Sequence, residues 1–559
     1  MTKTRSTPQG AGLTSFLSAD GLKRAIVPIA AAAASLALIG LSAVSLWWLA
    51  GLAITLPIIA LGLFDSLQTN ATLIRNYPVA ARIRWLFYDL RPYLRAYVVE
   101  GELEGKPYSI QARKLVYARA RGKNAIHPFG TELDTADSSY KWITHSVAPE
   151  EDPDTRPRIV IGGPQCAQPY NASVLNISAM SFGALSANAI AALNKGAKLG
   201  GFYHDTGEGG VSPYHLGGAD LVWEIGSGYF GCRDRQGRFD AGQFAETAAL
   251  DAIKMTEIKL SQGAKPGHGG LLPGAKVTAE IAGIRKIPEG KDCLSPRGHS
   301  AFSTPMELLE FAARMRELSG GKPVGIKLCV GRRHEVMAIV KAMLKSEIYL
   351  DFIVVDGAEG GTGAAPIELS NHVGAPLAEG LIVVRNALVG AGIRDKIRIG
   401  ASGKAYSGFS LARDFALGAD WCNAARAFMF SIGCIQAMRC HRGTCPTGIA
   451  TQDPGRQRGL VVDVEAERAA RFHRGTVDAL VEIVAAAGLK HPCELQPHHL
   501  IHRLGATGAR PADEIYTFLP KGALLDSPDE TIYASAWRAA DPDSFHPRID
   551  VAEERARMN

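Results

Sequence analysis

A chain of 559 residues, 47% hydrophobic and 21% charged, has room for a large core and two or three domains, which excludes a disordered protein. The net charge of +6 is modest and scattered, with no basic and aromatic interleaving, so no nucleic-acid partner is indicated. Nine cysteines without an even ladder of spacings argue against a disulfide framework and for a reducing compartment.

In chain order, residues 1–24 form a small, polar, slightly basic tail with Lys3, Arg5, Lys23 and Arg24. Between Ala25 and Phe64 there is no ionisable side chain over about 40 residues, enough for two membrane-crossing helices of about 20 residues each. The turn is expected near Gly40 to Ser45, with Trp47 and Trp48 at the far interface. A signal peptide fits less well, and Pro28 and Pro57 argue against one long buried helix. Lys23 and Arg24 before the run, and Arg75, Arg82 and Arg84 after it, place both ends in the cytoplasm. The expectation is a multi-pass protein of the inner (cytoplasmic) membrane, in contact with lipid, its catalytic part on the cytoplasmic side. Residues 65–158 read as a juxtamembrane region and linker, broken at Tyr77-Pro78, with an extended piece starting at Arg91-Pro92. Within it, Arg113 to Arg121 carries a basic face expected to be solvated or lipid-facing.

From residue 159 the pattern becomes short apolar strands followed by Gly-rich turns and helical stretches. Val174–Ser178 precedes Ser186–Leu199, and Pro323–Leu328 precedes His334–Leu344. Leu350–Val355 leads into a long loop, Lys396–Ile399 into Ser410–Leu417, and Asp420–Asn423 into Phe428–Met438. This alternation predicts an α/β fold with a parallel sheet, best met over residues 159–455 by a closed (β/α)8 TIM barrel. An open doubly wound sheet is the alternative, but no G-x-G-x-x-G supports a nicotinamide-binding half. Residues 456–559 read as a helical extension: Val461 to Ala487 is amphipathic, Gly475 weakens it as one unbroken helix, and the chain ends in a polar tail.

Cys434, Cys440 and Cys445 are spaced C-x5-C-x4-C. Thiolates suit iron–sulfur and zinc centres; three leave a zinc site one ligand short and match a 3Fe–4S cluster, while the alternative is a set of buried thiols. The loops Gly400-Ala401-Ser402-Gly403-Lys404 and Asn423-Ala424-Ala425-Arg426 follow the last two strands, where barrels of this class often hold a phosphate. Lys327 ends an apolar strand and needs a polar partner: either a flavin, whose anionic reduced form it would stabilise, or a salt bridge inside the barrel. The stretch from Lys259 to Gly270 sets Lys259, Gln262, Lys265 and His268 among glycines, a loop able to offer several cations to a dicarboxylate. Glu208, between glycines, is placed to bind ammonia or an iminium or to move a proton, or is a plain turn carboxylate. Asp356 to Gly363 suits a lid or a path between two centres.

These stretches together resemble the FMN-binding synthase domain of glutamate synthase over roughly residues 160–455. The motifs are N-I-S-A-M-S-F-G-A-L-S from Asn176, T-G-E-G-G from Thr206 and K-L-S-Q-G-A-K-P-G-H-G-G-L-L-P-G from Lys259. D-G-A-E-G-G-T-G-A from Asp356 and the cysteine run through Gln452 complete the set. The resemblance implies FMN at the strand ends, lined by Ser178, Ala179, Met180 and Ser181, with Lys327 against the ring. The loops of Ser402, Gly403, Lys404, Ala425 and Arg426 would lie near its phosphate. It implies a 3Fe–4S cluster on Cys434, Cys440 and Cys445, Lys259, Gln262 and Lys265 facing flavin and keto acid, and Glu208 at the amination site. The sequence departs from the large synthase subunits in opening Met1-Thr2 with no glutaminase domain, in His268 where an acidic residue is usual, and in lacking a Gly-rich β-helix after the cysteines. The function implied is a membrane-anchored FMN and iron–sulfur oxidoreductase that reductively aminates 2-oxoglutarate to glutamate. Ammonia would be free or delivered, electrons would come from a ferredoxin or a reductase subunit, and a homo-oligomer is possible. The runners-up are an amine or amino-acid dehydrogenase, an N-alkylglutamate synthase, and a non-catalytic electron-transfer subunit.

Overall fold

The computed structural model describes residues 19–123, 126 and 128–548; the tail expected over residues 1–18 and the polar end beyond 548 lie outside the described residues. The chain forms two compact units that divide after Gly105, not at the linker expected near 158.

In the first unit, helices α1 (Ile26–Leu41) and α2 (Leu52–Leu67) pack antiparallel. Ser35 Oγ donates to Thr55 Oγ1 at 2.7 Å. A Cβ on Gly62 would lie 2.5 Å from Pro28, so that glycine sets the approach of the two helices. The turn falls where the sequence places it. By length, however, only Leu46–Leu67, with 22 residues, is long and apolar enough to cross a bilayer among the described helices. Helix α1 has 16 residues, about 24 Å at the helical rise, short of a hydrocarbon core of about 30 Å. The expected two-helix transmembrane hairpin is therefore not borne out among the described residues: one helix has the length and composition to cross and its partner is shorter, because the apolar run is divided unevenly. Asp65, fully buried, accepts from Arg82 Nη2 at 2.6 Å and from the Val79 N–H at 2.9 Å. Helix α3 (Arg82–Leu94) then runs straight through Pro92, where an extended piece was expected, and exposes Trp85, Phe87 and Tyr88.

The second unit is built on a closed, all-parallel barrel of eight strands. These are β1 (Leu175–Ile177), β2 (His204–Asp205), β3 (Leu221–Ile225), β4 (Ile253–Lys259), β5 (Val324–Leu328), β6 (Phe352–Asp356), β7 (Arg398–Ser402) and β8 (Trp421–Ala424). Closure is made by β8 on β1, with Cys422 opposite Leu175 and Ala424 opposite Ile177. The strands are buried on both faces, which is why they read as apolar runs. A hairpin, Arg158–Ile161 with Tyr170–Ser173, places Ile161 and Ala172 in an inner cluster with Tyr203, Met255, Phe352 and Trp421.

Around the barrel lie α4 (Ile110–Ala120), α5 (Ala187–Gly200), α6 (Arg426–Ser431) and α7 (Val462–Ala486). Helix α6 stops well before Met438: Gly433 turns the chain at φ +98°, and the cysteine loop follows with only a single 3-10 turn at Cys440–Arg442. Helix α7 is continuous through Gly475 and packs on α5 and on Gly408–Ala416, the helix after β7. A Cβ on Gly196 would lie 2.7 Å from the Ala466 carbonyl oxygen, and one on Gly408 2.6 Å from Ala479. Helix α7 therefore fills the place of the barrel's eighth helix, and the barrel extends past residue 455. The extension is not a separate body either: Leu500–Arg503 pairs with Lys141–Ile143 and with Ala509–Pro511.

The basic run expected to be solvated is packed instead. In α4, Ala112, Arg113, Val116 and Ala120 are buried, and Arg119 Nη1 donates to Thr476 Oγ1 of α7 at 3.3 Å. Its three-to-four residue apolar spacing outweighs its charge.

His473 of α7 stacks on Phe202 at 4.0 Å and bonds the Leu175 carbonyl oxygen at 3.0 Å. Burial pushes its imidazole down to about 3. A folded-state value below the unfolded one means that the unfolded chain binds the extra proton, so this contribution is present above about 6.5 and lost as pH falls. His473→Gln should therefore flatten the acid limb of a stability–pH curve by about 1.4 kcal/mol per pH unit between 6.5 and 4.5, read by denaturant titration. An unchanged slope would mean that His473 is protonated in the fold.

Candidate active site

Alternation along the strands aims several ionisable side chains into the mouth of the barrel. On β4, Glu257 and Lys259 are two apart and share the inward face. Register sets Glu257 opposite Glu224 of β3 and Lys259 opposite Lys327 of β5. Lys327 pairs closely with Glu224, and its Nζ lies 3.3 Å from Glu257. Asp205, Glu224 and Glu257, all buried, bring carboxylate oxygens within 4.8 Å of one another. Burial raises the Glu257 carboxyl well above its usual range, helped by the neighbouring Asp205 and Asp356 charges. Burial likewise raises Asp205, against the pull of Lys327. The salt-bridge reading of Lys327 is thus realised: it closes a buried ion cluster, and it also lines the cavity above.

Above this floor, Lys259 Nζ lies 3.2 Å from Glu208 Oε2 and donates to Gln262 Oε1 at 2.6 Å. Burial alone would raise the Glu208 carboxyl, but Lys259, Arg285 and Lys265 together hold it below its usual value. Burial lowers the Lys265 ammonium. The glycines after Lys265 serve close packing as well as ligand access: a Cβ on Gly270 would sit 2.2 Å from Glu208 Oε1. Gly270→Ala should displace that carboxylate and reduce turnover about 10- to 100-fold while shifting the melting temperature little, since the clash is with the end of a side chain. Equal turnover would remove Glu208 from the reaction. His268 bonds its own neighbour, the Gly269 carbonyl oxygen, at 2.8 Å and does not line the cavity.

The cavity at the strand ends, of about 190 Å³, gathers every candidate residue outside the cysteine loop except His268. Its walls are Ser178, Ala179, Met180 and Ser181 after β1, Gln262 and Lys265 after β4, Ser402 at the end of β7 with Gly403 and Lys404 after it, and Ala425 and Arg426 after β8. Ser178 Oγ and Ser402 Oγ are 3.3 Å apart, and Lys404 adopts φ +53°, a left-handed turn. A second cavity of about 1190 Å³ adjoins it and is lined by Cys434, Cys440 and Cys445. Cys440, Arg426, Tyr108 and Gly360 to Gly363 border both, so the end of the 356–363 stretch lies between the two cavities. Asp356 ties it to the Lys259 loop by accepting from the Gly263 N–H at 2.7 Å. Arg426, which lines the first cavity, donates to the Thr362 carbonyl oxygen at 2.6 Å and approaches Cys440 Sγ at 3.7 Å. All nine cysteines are free. The three cysteine sulfurs do not converge within the 4.8 Å that a one-ion site needs, but all three face one space large enough for a cluster, which holds its ligands further apart.

Several site residues escape the sequence reading. Glu224 and Glu257 carry the same signal as Lys327, a charge inside an apolar strand. Arg285, buried with its guanidinium 3.3 Å from Ser181 Oγ, and Tyr108 come from elements that no strand-end rule points to.

A family model described as the conserved region in glutamate synthase matches residues 152–490. The chain belongs to the glutamate synthase family. Members of this family are oxidoreductases that act on the CH–NH2 group of donors. The glutamate synthase large subunit-like protein YerD of Bacillus subtilis is 37% identical over 483 residues, covering 78% of this chain and 91% of YerD. The archaeal glutamate synthase [NADPH] of Methanocaldococcus jannaschii is 36% identical over 315 residues, covering 56% of this chain and 58% of its own length. Among solved structures, a flavocytochrome b2 with sulfite bound aligns at 13% identity and TM-score 0.40, covering 74% of this chain and 83% of that one. The family match runs from residue 152 through the barrel and α7, so its end agrees with α7 as the barrel's eighth helix.

Proposed function

We propose that this protein is an FMN and iron–sulfur oxidoreductase that reductively aminates 2-oxoglutarate to glutamate. The observation that carries this reading is the paired cavity: a cation-lined pocket at the strand ends sharing Cys440 with a space faced by all three cysteines. The donor set suits FMN: small residues after β1, β7 and β8 admit a phosphate and ribityl chain, and Lys327 and Gln262 supply polar contacts for the ring. Bound there, FMN would supply two-electron transfer and the cluster one-electron delivery.

The chain's own residues would do the rest. Lys259, Lys265 and Arg285 place three cations around one carboxylate, enough to hold a dicarboxylate keto acid beside Glu208. Glu208, kept ionised by those cations, would hold ammonium or the iminium at the keto carbon and manage its proton. Gln262 fixes the Lys259 ammonium, and the buried carboxylates beneath fix Lys327. Electrons would come from a ferredoxin or a reductase subunit. The apolar pair α1 and α2, followed by α3 with its exposed aromatics and arginines, supports attachment to the inner membrane with the barrel on the cytoplasmic side.

The test is an absorbance and low-temperature EPR spectrum of detergent-purified protein, then anaerobic addition of 2-oxoglutarate and ammonium after reduction. Flavin bands, a 3Fe–4S signal and reoxidation only with both substrates are expected. Cofactors without reoxidation would move the substrate to another amine or amino acid, and a colourless protein would end the reading.

A further inference from the structure

The cysteine loop is held by a part of the chain that lies outside the family-matched stretch of residues 152–490. Tyr117 of α4 donates its hydroxyl to the Cys434 carbonyl oxygen at 2.6 Å. Nine residues earlier, Tyr108 and Gln436 exchange two bonds: the Tyr108 N–H donates to Gln436 Oε1 at 3.3 Å, and Gln436 Nε2 donates to the Tyr108 carbonyl oxygen at 3.2 Å. The loop they hold does not fold itself. Gln436 and Met438 sit at φ +57° and +54°, a conformation that costs a side-chain-bearing residue about 1 kcal/mol or more and persists only when neighbours impose it. The Tyr108 ring is buried, edge-on to Phe430 at 5.1 Å and to Tyr406 at 6.1 Å, and forms part of the wall between the two cavities.

We propose that residues 106–121 form a clamp in which Tyr117 and Tyr108 are positioning residues: they fix the backbone of Cys434 to Met438 and so set the geometry with which the cysteines present their sulfurs. The chemistry of the centre comes from the proposed function above, on which this inference rests, but the clamp is a property of this chain's own contacts. It also makes the segment that leads from the first unit into the barrel a structural part of the redox site.

The test compares the purified full-length protein with Tyr117→Phe and, as control, Val116→Ala. Val116 is fully buried in the same helix but is an aliphatic side chain with no bond to offer the loop. Two readouts are taken: amide hydrogen exchange over residues 434–445 and the low-temperature EPR line shape. Tyr117→Phe should speed exchange in that segment about fivefold, as expected for one lost hydrogen bond, and alter the line shape with helix content unchanged. Val116→Ala should lower the melting temperature and leave both readouts as they were. Unchanged exchange in Tyr117→Phe, or an equal change in Val116→Ala, would overturn the clamp. If the purified protein holds no iron, the cluster reading fails by itself, and the exchange comparison still decides whether Tyr117 holds the loop.

Discussion

Lys327→Met is expected to lower the unfolding free energy by about 3–5 kcal/mol at pH 7, the usual cost of removing one partner from a buried ion pair. The ammonium is buried with Glu224 and Glu257, and both carboxylates are almost wholly shielded from solvent that could replace it. The loss should be recovered in large part by Glu224→Gln in the same chain, because the uncompensated charge, and not the missing methylenes, is the source. Glu257 adds a pH dependence of known sign. Its folded-state value is raised, so the folded chain binds the extra proton. Its contribution is complete below the unfolded carboxyl value of about 4.3 and is lost as pH rises toward the folded one. Glu257→Gln should therefore flatten the decline of stability above about 4.3. Denaturant titrations of the single and double variants from pH 4 to 8 check both statements. A Lys327→Met protein as stable as its parent would show that the carboxylates share protons and need no cation.

Cys440→Ser is expected to abolish most of the bound iron and the low-temperature EPR signal while leaving flavin bound. Of the three loop cysteines, it is the one that borders both cavities, and Arg426 approaches its sulfur at 3.7 Å. A serine hydroxyl is a hard oxygen donor that stays protonated at neutral pH, whereas a thiolate is a soft anionic ligand, so serine suits iron–sulfur chemistry poorly. The walls formed by Ser178 to Ser181 and by Ser402 to Lys404 do not depend on that sulfur. Cys166→Ser is the control: its thiol bonds the Gly321 carbonyl oxygen at 3.4 Å, in a loop remote from the barrel mouth, and should keep the full iron content. Iron analysis and EPR on both variants decide the matter. Equal iron in Cys440→Ser and parent would withdraw the ligand assignment.

The sequence by itself determined those features that depend on neighbours along the chain. An apolar run without charge fixes the α1–α2 pair, because nothing within it favours water. Short apolar strands followed by glycine turns fix a parallel barrel, because such strands must be covered on both faces. Residues at or just past the C-terminal end of a strand, such as Lys327, Ser402 and Ala425, could be placed at the mouth for the same reason. The tertiary structure alone decided what depends on partners far away in sequence. Helix α7 fills the eighth position of the barrel because Gly196 and Gly408 leave room for it, although the cysteine loop separates it from β8. Helix α4 is packed and not solvated because α7 offers its arginines and apolar positions a surface. Lys327 lies in an ion cluster because Glu224 and Glu257 come from two other strands whose register aims them inward. Tyr108 and Tyr117 reach the cysteine loop across more than three hundred residues. Periodicity carries no record of such pairings, since the free energy that selects them arises only when the two surfaces meet.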